Sequence, residues 1–190
     1  MVKVIGITGT IASGKEEVRE ILKKRFSAYY VTLSDVIRSE LERKKINFTR
    51  KTLQDHGNEM RKQYGNHILA LLSVEYLPRD KQLIIIDGIR NPGEAEYLGK
   101  KFGPNFILIG VDAPKEIRWQ RVQQRKLKTD PKTFEEFDAL DNRDQGIGEP
   151  LYGQQVKACI DKANAVIENN GSLEDLEKKV DEVSKQIIDI

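Results

Sequence analysis

The chain has 190 residues, enough to bury a sizeable core, so one domain suffices and no second folding unit is required. Its 32 basic and 30 acidic side chains leave a net charge of +2, which excludes the polyanion-binding bias of a dedicated nucleic-acid protein and makes any basic patch local. No apolar run reaches membrane-spanning length, the first residues carry no signal pattern, and the lone Cys159 has no internal disulfide partner, so a cytoplasmic protein with no membrane partner is expected.

The apolar run Val2–Thr8 predicts a first strand. It leads into Gly9-Thr10-Ile11-Ala12-Ser13-Gly14-Lys15, and a helical pattern follows over Lys15–Phe26. This is the setting of a phosphate-binding loop. Glycine permits a tight path, successive N–H groups point inward, the helix start adds partial positive charge, and Lys15 supplies a full one. Nucleoside triphosphate binding, with ATP and Mg²⁺, is the first expectation. The hydroxyl that usually follows the lysine and holds Mg²⁺ is absent, because Glu16 and Glu17 stand there. Three readings of Glu16 are open: it ligates Mg²⁺ itself; it lies in solvent where the helix dipole favours it and water fills the metal position; or catalysis is weakened or lost.

A second strand at Tyr29–Leu33 precedes a helix over Asp35–Lys44, with Ser34 as its cap. Ser34, Asp35 and Arg38 thus gather near the carboxyl edge of the sheet, where doubly wound folds bind ligands. A long helical stretch spans Arg50–Tyr76 with a break near Gly65. Its Gln54, Asn58 and Arg61 share one face, which either reads a nucleobase edge or is solvated. The strand Leu83–Ile86 ends in Asp87-Gly88-Ile89-Arg90. There the aspartate suits the water shell of Mg²⁺ and the arginine suits a phosphate.

A helix at Pro92–Phe102 and a strand at Phe106–Val111 lead to a helix at Lys115–Leu127, which carries Arg118, Arg121 and Arg125 on broadly one face. Arg118 reads more readily as part of a solvated basic face than the other two. Lys128–Glu149 shows no clear apolar periodicity and is expected to hold a mobile lid; within it, Asp141–Gly146 either binds substrate or pairs its own charges. The chain closes with a helix at Pro150–Lys162, a strand at Ala165–Ile167 and a helix at Ser172–Ile188. His56 and His67 have no ligand set at metal spacing, Trp119 suits an apolar helix contact, and Cys159 suits a passive thiol. The alternation of strands and helices predicts an α/β three-layer fold, a five-stranded parallel sheet flanked by helices.

At Ser34-Asp35 with Arg38, and at Asp87-Gly88 with Arg90, the chain resembles the nucleoside monophosphate kinase and dephospho-coenzyme A kinase group of P-loop proteins. The opening Gly6–Lys15 and the ending Ala163–Leu173 are similar to dephospho-coenzyme A kinases, while their third-strand Pro-Leu-Leu-Phe-type motif is absent. The resemblance implies ATP-dependent transfer to a small nucleotide acceptor, foremost a nucleoside monophosphate. It implies that Ser34, Asp35, Arg38 and Arg90 bind that acceptor, that Asp87 faces the metal, and that Lys15, Arg121, Arg125 and Arg143 stabilise the transferring group; Glu16, where the resembled kinases carry Ser or Thr, is the other candidate metal ligand. The acceptor-binding part would then span about residues 34–80 and an arginine-bearing lid about 126–150 of one domain. A dephospho-coenzyme A kinase-like activity, with Asp35 as base, and a nucleotide-binding regulator with little turnover remain as alternatives.

Overall fold

The computed structural model describes residues 2–78, 80–125, 127 and 130–187. Five parallel strands, β1 (Lys3–Gly9), β2 (Tyr29–Thr32), β3 (Leu83–Ile89), β4 (Phe106–Asp112) and β5 (Ala165–Glu168), form one sheet in the order β2-β3-β1-β4-β5. The α/β fold expected from alternating apolar runs is the fold observed. The chain winds to one side of β1 and then to the other, so the order reverses at β1, whose carboxyl end carries the phosphate loop.

Strands buried on both faces alternate their contacts by residue. Ile84 and Ile86 point into one apolar cluster with Leu33, Ile37, Leu69 and Leu98, whereas Ile85 joins Ile5, Ile7, Val18 and Leu22 in the other. The first cluster is covered by α2 (Leu33–Arg43), α3 (Arg50–Tyr64), α4 (Ile68–Glu75), α5 (Pro92–Phe102) and α8 (Val156–Asp161); the second by α1 (Lys15–Phe26) and α9 (Leu173–Ile187). A third, smaller cluster joins Ile11 of the phosphate loop to Val122 of α6 (Lys115–Arg125) and Phe137 of α7 (Phe134–Gln145). Among the described residues no helix is long and apolar enough to cross a membrane.

Several local expectations change. The segment expected to lack periodicity contains α7, whose inward face is Phe137, Asp141 and Asp144, all fully buried. Lys128 and Thr129, at the start of the expected lid, and Lys126 lie outside the described residues. α2 begins at Leu33, so Ser34 is a helical residue rather than its cap. The helix expected from Pro150 is the shorter α8; residues 150–155 form turns whose carbonyls accept side-chain hydrogen bonds from Asn91. Ser172 does cap α9, accepting from the Asp175 N–H at 3.2 Å.

Candidate active site

At the end of β1, Gly9, Ala12 and Gly14 have positive φ, and the turn they make seats Gly14 at the N-cap of α1. A Cβ on Gly14 would strike the Asn169 amide, which donates to the Ser13 carbonyl at 2.9 Å, so glycine is required for space as well as for φ. Lys15 folds back on its own loop, donating to the carbonyls of Gly9 (2.8 Å) and Thr10 (2.6 Å). Burial, then the nearby Arg90, pushes its ammonium down to about 8.

Two elements clamp the loop from outside. Arg118 of α6 is buried and donates to the carbonyls of Ala113 (2.8 Å) and Ile11 (3.3 Å), while its guanidinium is held by both carboxylate oxygens of Asp141 on α7. It is a buried brace, contrary to the expected solvated face. Arg121 donates to the carbonyls of Ser13 (3.2 Å) and Asn169 (2.9 Å), so here it fastens the loop to the segment after β5.

Across the sheet edge, β1 and β3 lose register between Ile7 and Thr8. Ile7 pairs with Asp87 and Thr8 with Ile89, leaving Gly88 as the extra residue at φ 83°. Asp87 therefore sits within β3, opposite the phosphate loop. Beyond it, Glu94 accepts from the backbone N–H groups of Arg90 (2.8 Å) and Asn91 (3.0 Å), and the Arg90 carbonyl accepts from Gln155 N–H at 2.6 Å. Arg90 is thus fixed by its backbone, and its guanidinium meets the buried carboxylate of Asp144 on α7.

Between the phosphate loop and these residues lies a cavity of about 930 Å³. Lys15, Glu16, Glu17, Ser34, Asp35, Arg38, Asp87, Arg90, Arg121 and Arg125 all line it, as do Ile11, Ala12 and Gly14. Gly9, Thr10 and Ser13 lie buried behind the loop surface. Arg125 is held by both oxygens of Asp130, at 2.8 and 2.7 Å. Arg143 differs from expectation: it binds Asp55 (2.6 Å) and Glu149 (3.1 Å) and is not on the cavity wall. The reason is the helical path of α7, which turns Asp141 and Asp144 inward and Arg143 aside. The Asp141–Gly146 segment accordingly pairs its charges, with arginines distant in sequence.

Arg50 was not singled out by the sequence. It opens α3 directly after the capping Thr49, lines the cavity, and has a buried Nε with no hydrogen-bond partner. Burial, then Arg90, lowers its guanidinium to about 10. The available signal was its position: a cation in the first turn of a helix opposes the dipole, and such a placement asks for a tertiary reason. Gln54, Asn58 and Arg61 are neither solvated nor on the main cavity; they are buried, bonded to Gln154 (3.0 Å), Glu149 (2.7 Å) and Glu94 (2.8 Å). Gln54 does line a side chamber of about 150 Å³ with Leu33, Ile37, Phe48, Leu53 and Leu69, which opens beside Arg38, Arg50 and Arg90. Its Oε1 has no hydrogen-bond partner. His56 bonds Glu40 at 2.8 Å, His67 stacks on Tyr97, and Trp119 packs against Phe134 and Phe137. Cys159 is buried, and burial pushes its thiol well above the usual range.

The residues expected to face Mg²⁺ are Asp87 and Glu16. Asp87 Oδ1 is buried without a hydrogen-bond partner, so one oxygen is free for a metal-bound water. The other, Oδ2, accepts from Arg19 at 3.1 Å, and Glu16, whose side chain is 73% exposed, is drawn to the same arginine at 3.3 Å. These residues fit the ion, with Arg19 as a rival cation.

Residues 5–143 match the model of the AAA domain family. A UPF0200 protein of Methanosarcina mazei is 32% identical over 186 residues, covering 96% of this chain and 94% of that protein. A UPF0200/UPF0201 protein of Archaeoglobus fulgidus is 30% identical over 184 residues, and this chain spans 54% of its length. Among solved structures, TT1252 from Thermus thermophilus superposes with a TM-score of 0.61 at 22% identity, covering 98% of each chain. The shikimate kinase of Aquifex aeolicus superposes with a TM-score of 0.56 at 13% identity, covering 96% of each. At these identities the structural likeness is one of fold, a P-loop kinase-like fold.

Proposed function

The chain belongs to the AAA domain family and to the UPF0200 group, and from that premise we propose that it is an ATP-dependent phosphotransferase acting on a small nucleotide, foremost a nucleoside monophosphate. One observation carries this reading: a single cavity joins the phosphate loop to a second set of cations drawn from other elements. Among the described residues that line it, seven cationic side chains face four carboxylates. Lys15 and the loop amides form the first set and Arg38, Arg50 and Arg90 the second, with Arg90 near enough to lower Lys15, and a simple nucleotide switch has no use for the second set.

In this reading the loop amides and Lys15 hold the donor β/γ phosphates, and Arg50 and Arg90 grip the acceptor phosphate. The acceptor's remaining body enters the apolar side chamber, where the free Gln54 Oε1 accepts a hydrogen bond. Asp87 and Glu16 would hold Mg²⁺, which when bound supplies charge neutralisation at the phosphates. Arg121 and Arg125 would flank the transfer path, Arg125 once released from Asp130. Catalysis is then positioning and electrostatics, since a phosphate oxygen is already a competent nucleophile.

A second reading, a hydroxyl acceptor as in a dephospho-coenzyme A kinase-like reaction, is favoured by Asp35. Its carboxylate lines the cavity 2.9 Å from Arg38, where it could take a proton. A nucleotide-binding regulator is favoured by the grip of Arg19 on Asp87. All three are separated by measuring ADP formation from ATP and Mg²⁺ with ribo- and deoxynucleoside monophosphates and dephospho-coenzyme A, using Lys15→Ala as control. Turnover dependent on a monophosphate and lost in the variant is expected. ATP binding with no acceptor-dependent turnover would sink the kinase reading and leave the regulator.

A further inference from the structure

The phosphate-loop helix carries one cation that the reaction above leaves without a role. Arg19 lies one turn beyond the loop, its side chain only 11% exposed, on the wall of the main cavity. Its guanidinium lies against Asp87 at 3.1 Å, Glu16 at 3.3 Å and Glu20 at 3.2 Å, and stacks over the Tyr30 ring at 4.6 Å from the centroid. Few arginines at a half-open position are fixed on so many sides; an ordinary surface ion pair leaves the side chain free to swing. Two of the three acids it holds, Asp87 and Glu16, are the ones expected to face a metal.

The substitution at position 16 explains why a cation is needed. A hydroxyl there is neutral, whereas Glu16 adds a charge beside Asp87, so an incoming phosphate chain would meet two carboxylates. Arg19 bridges the two and offsets one of those charges before any ligand arrives. We propose that Arg19 is the phosphate loop's built-in cation, bridging Asp87 and Glu16, so that nucleotide binds without a metal and a metal approaching these two carboxylates competes with the guanidinium. The inference rests on the reading that the loop end of the cavity takes nucleotide phosphates. It adds that the affinity of this site is uncoupled from Mg²⁺.

The test is calorimetric titration of ADP into the wild type, Arg19→Gln, Arg19→Lys and Lys15→Ala, each with Mg²⁺ and with EDTA. For the wild type and Arg19→Lys, removing the metal is expected to change affinity by less than about threefold. For Arg19→Gln it should cost about tenfold, because the two carboxylates then lack the guanidinium, and Mg²⁺ should restore it. Manganese titrated into the ADP complex and followed by its paramagnetic signal should bind about tenfold tighter to Arg19→Gln than to the wild type, a readout independent of turnover. If ADP binds, is lost in Lys15→Ala, and depends on Mg²⁺ as strongly in the wild type as in Arg19→Gln, the inference is wrong while the nucleotide site stands. If ADP binds to no protein under either condition, the nucleotide reading itself fails and the inference with it. Should Arg19→Gln not fold by circular dichroism, the wild type and Arg19→Lys still decide: strong metal dependence in both overturns the proposal.

Discussion

One part of the cavity wall, the loop end, is formed by Ile11, Ala12, Gly14 and Lys15 of one continuous segment; another, the arginine end, is formed by side chains from separate elements, Arg38 from α2, Arg50 from α3 and Arg90 from the segment after β3. The loop end is stiffened from behind by Arg118 and Arg121, which bond its carbonyls. The arginine end is held by carboxylates instead, Asp144 against Arg90 and Asp35 against Arg38. A backbone site works as a unit and fails as a unit, whereas a side-chain site loses function one group at a time. Perturbing the loop end should therefore cost both stability and binding, and perturbing Arg38 or Arg50 should cost acceptor binding alone, whereas Arg90 also pairs the buried Asp144.

The largest effect is expected at Arg118. Arg118→Ala takes from the buried Asp141 its bidentate partner, leaving Gln145 at 2.7 Å and Lys115 at 3.9 Å, and strips a donor from the Ile11 carbonyl, so a stability loss of about 3 kcal/mol is expected. Thermal melting should show it, together with loss of nucleotide binding, because α7 and the loop share the Ile11, Val122 and Phe137 cluster. A melting temperature within a degree or two of wild type would mean that α7 does not hold the loop. Among the arginines, Arg38→Ala and Arg50→Ala should each raise the KM for the acceptor by about 10- to 100-fold, the range of one charge-assisted phosphate contact. Their ATP KM should stay near wild type. An equal rise for both substrates would erase the distinction between the ends.

A subtler contrast lies in pH. In the free protein the Lys15 ammonium is lowered to about 8, by burial first and Arg90 second, and a bound phosphate favours its charged form. Nucleotide affinity should then be level below pH 8 and fall above it by up to about tenfold per unit, since binding there must take up a proton. Calorimetry in buffers of different ionisation enthalpy would register that uptake at pH 8–9 and little at pH 6.5. No proton uptake at the higher pH would place Lys15 in a wetter setting than its position implies.

The same contrast separates what the sequence displays from what it hides. The strands and the loop are local patterns: apolar runs of the right length, and a glycine-framed segment ending in lysine just before a helix. The hidden parts share one feature. Gln54, Asn58 and Arg61 on α3, and Phe137, Asp141 and Asp144 on α7, both follow helical spacing, but the buried face is written mostly in polar residues. Their partners are Gln154, Glu149, Glu94, Arg118 and Arg90, up to 100 residues away, so nothing local marks them as inward. Apolar periodicity cannot find a face that is buried by ion pairing. Arg90 and Asp87 were legible because strand ends are, while Arg50 was hidden because its meeting with Arg90 is purely tertiary.

The smallest effect should be at Arg143, whose helical neighbours point inward while it turns aside to Asp55 and Glu149. Half-exposed pairs of this kind contribute under about 1 kcal/mol, so Arg143→Ala should shift the melting temperature only slightly. Because Glu149 also accepts from Asn58, the loss should be partly absorbed by that remaining hydrogen bond. If transfer requires the segment after α6 to close, Arg143 is the residue in α7 that could still be carried inward, and steady-state kinetics would reveal it. A kcat within about twofold of wild type fits the resting position of α7, whereas a fall of a hundredfold or more would show that the helix rotates during the cycle and brings this arginine to the phosphates.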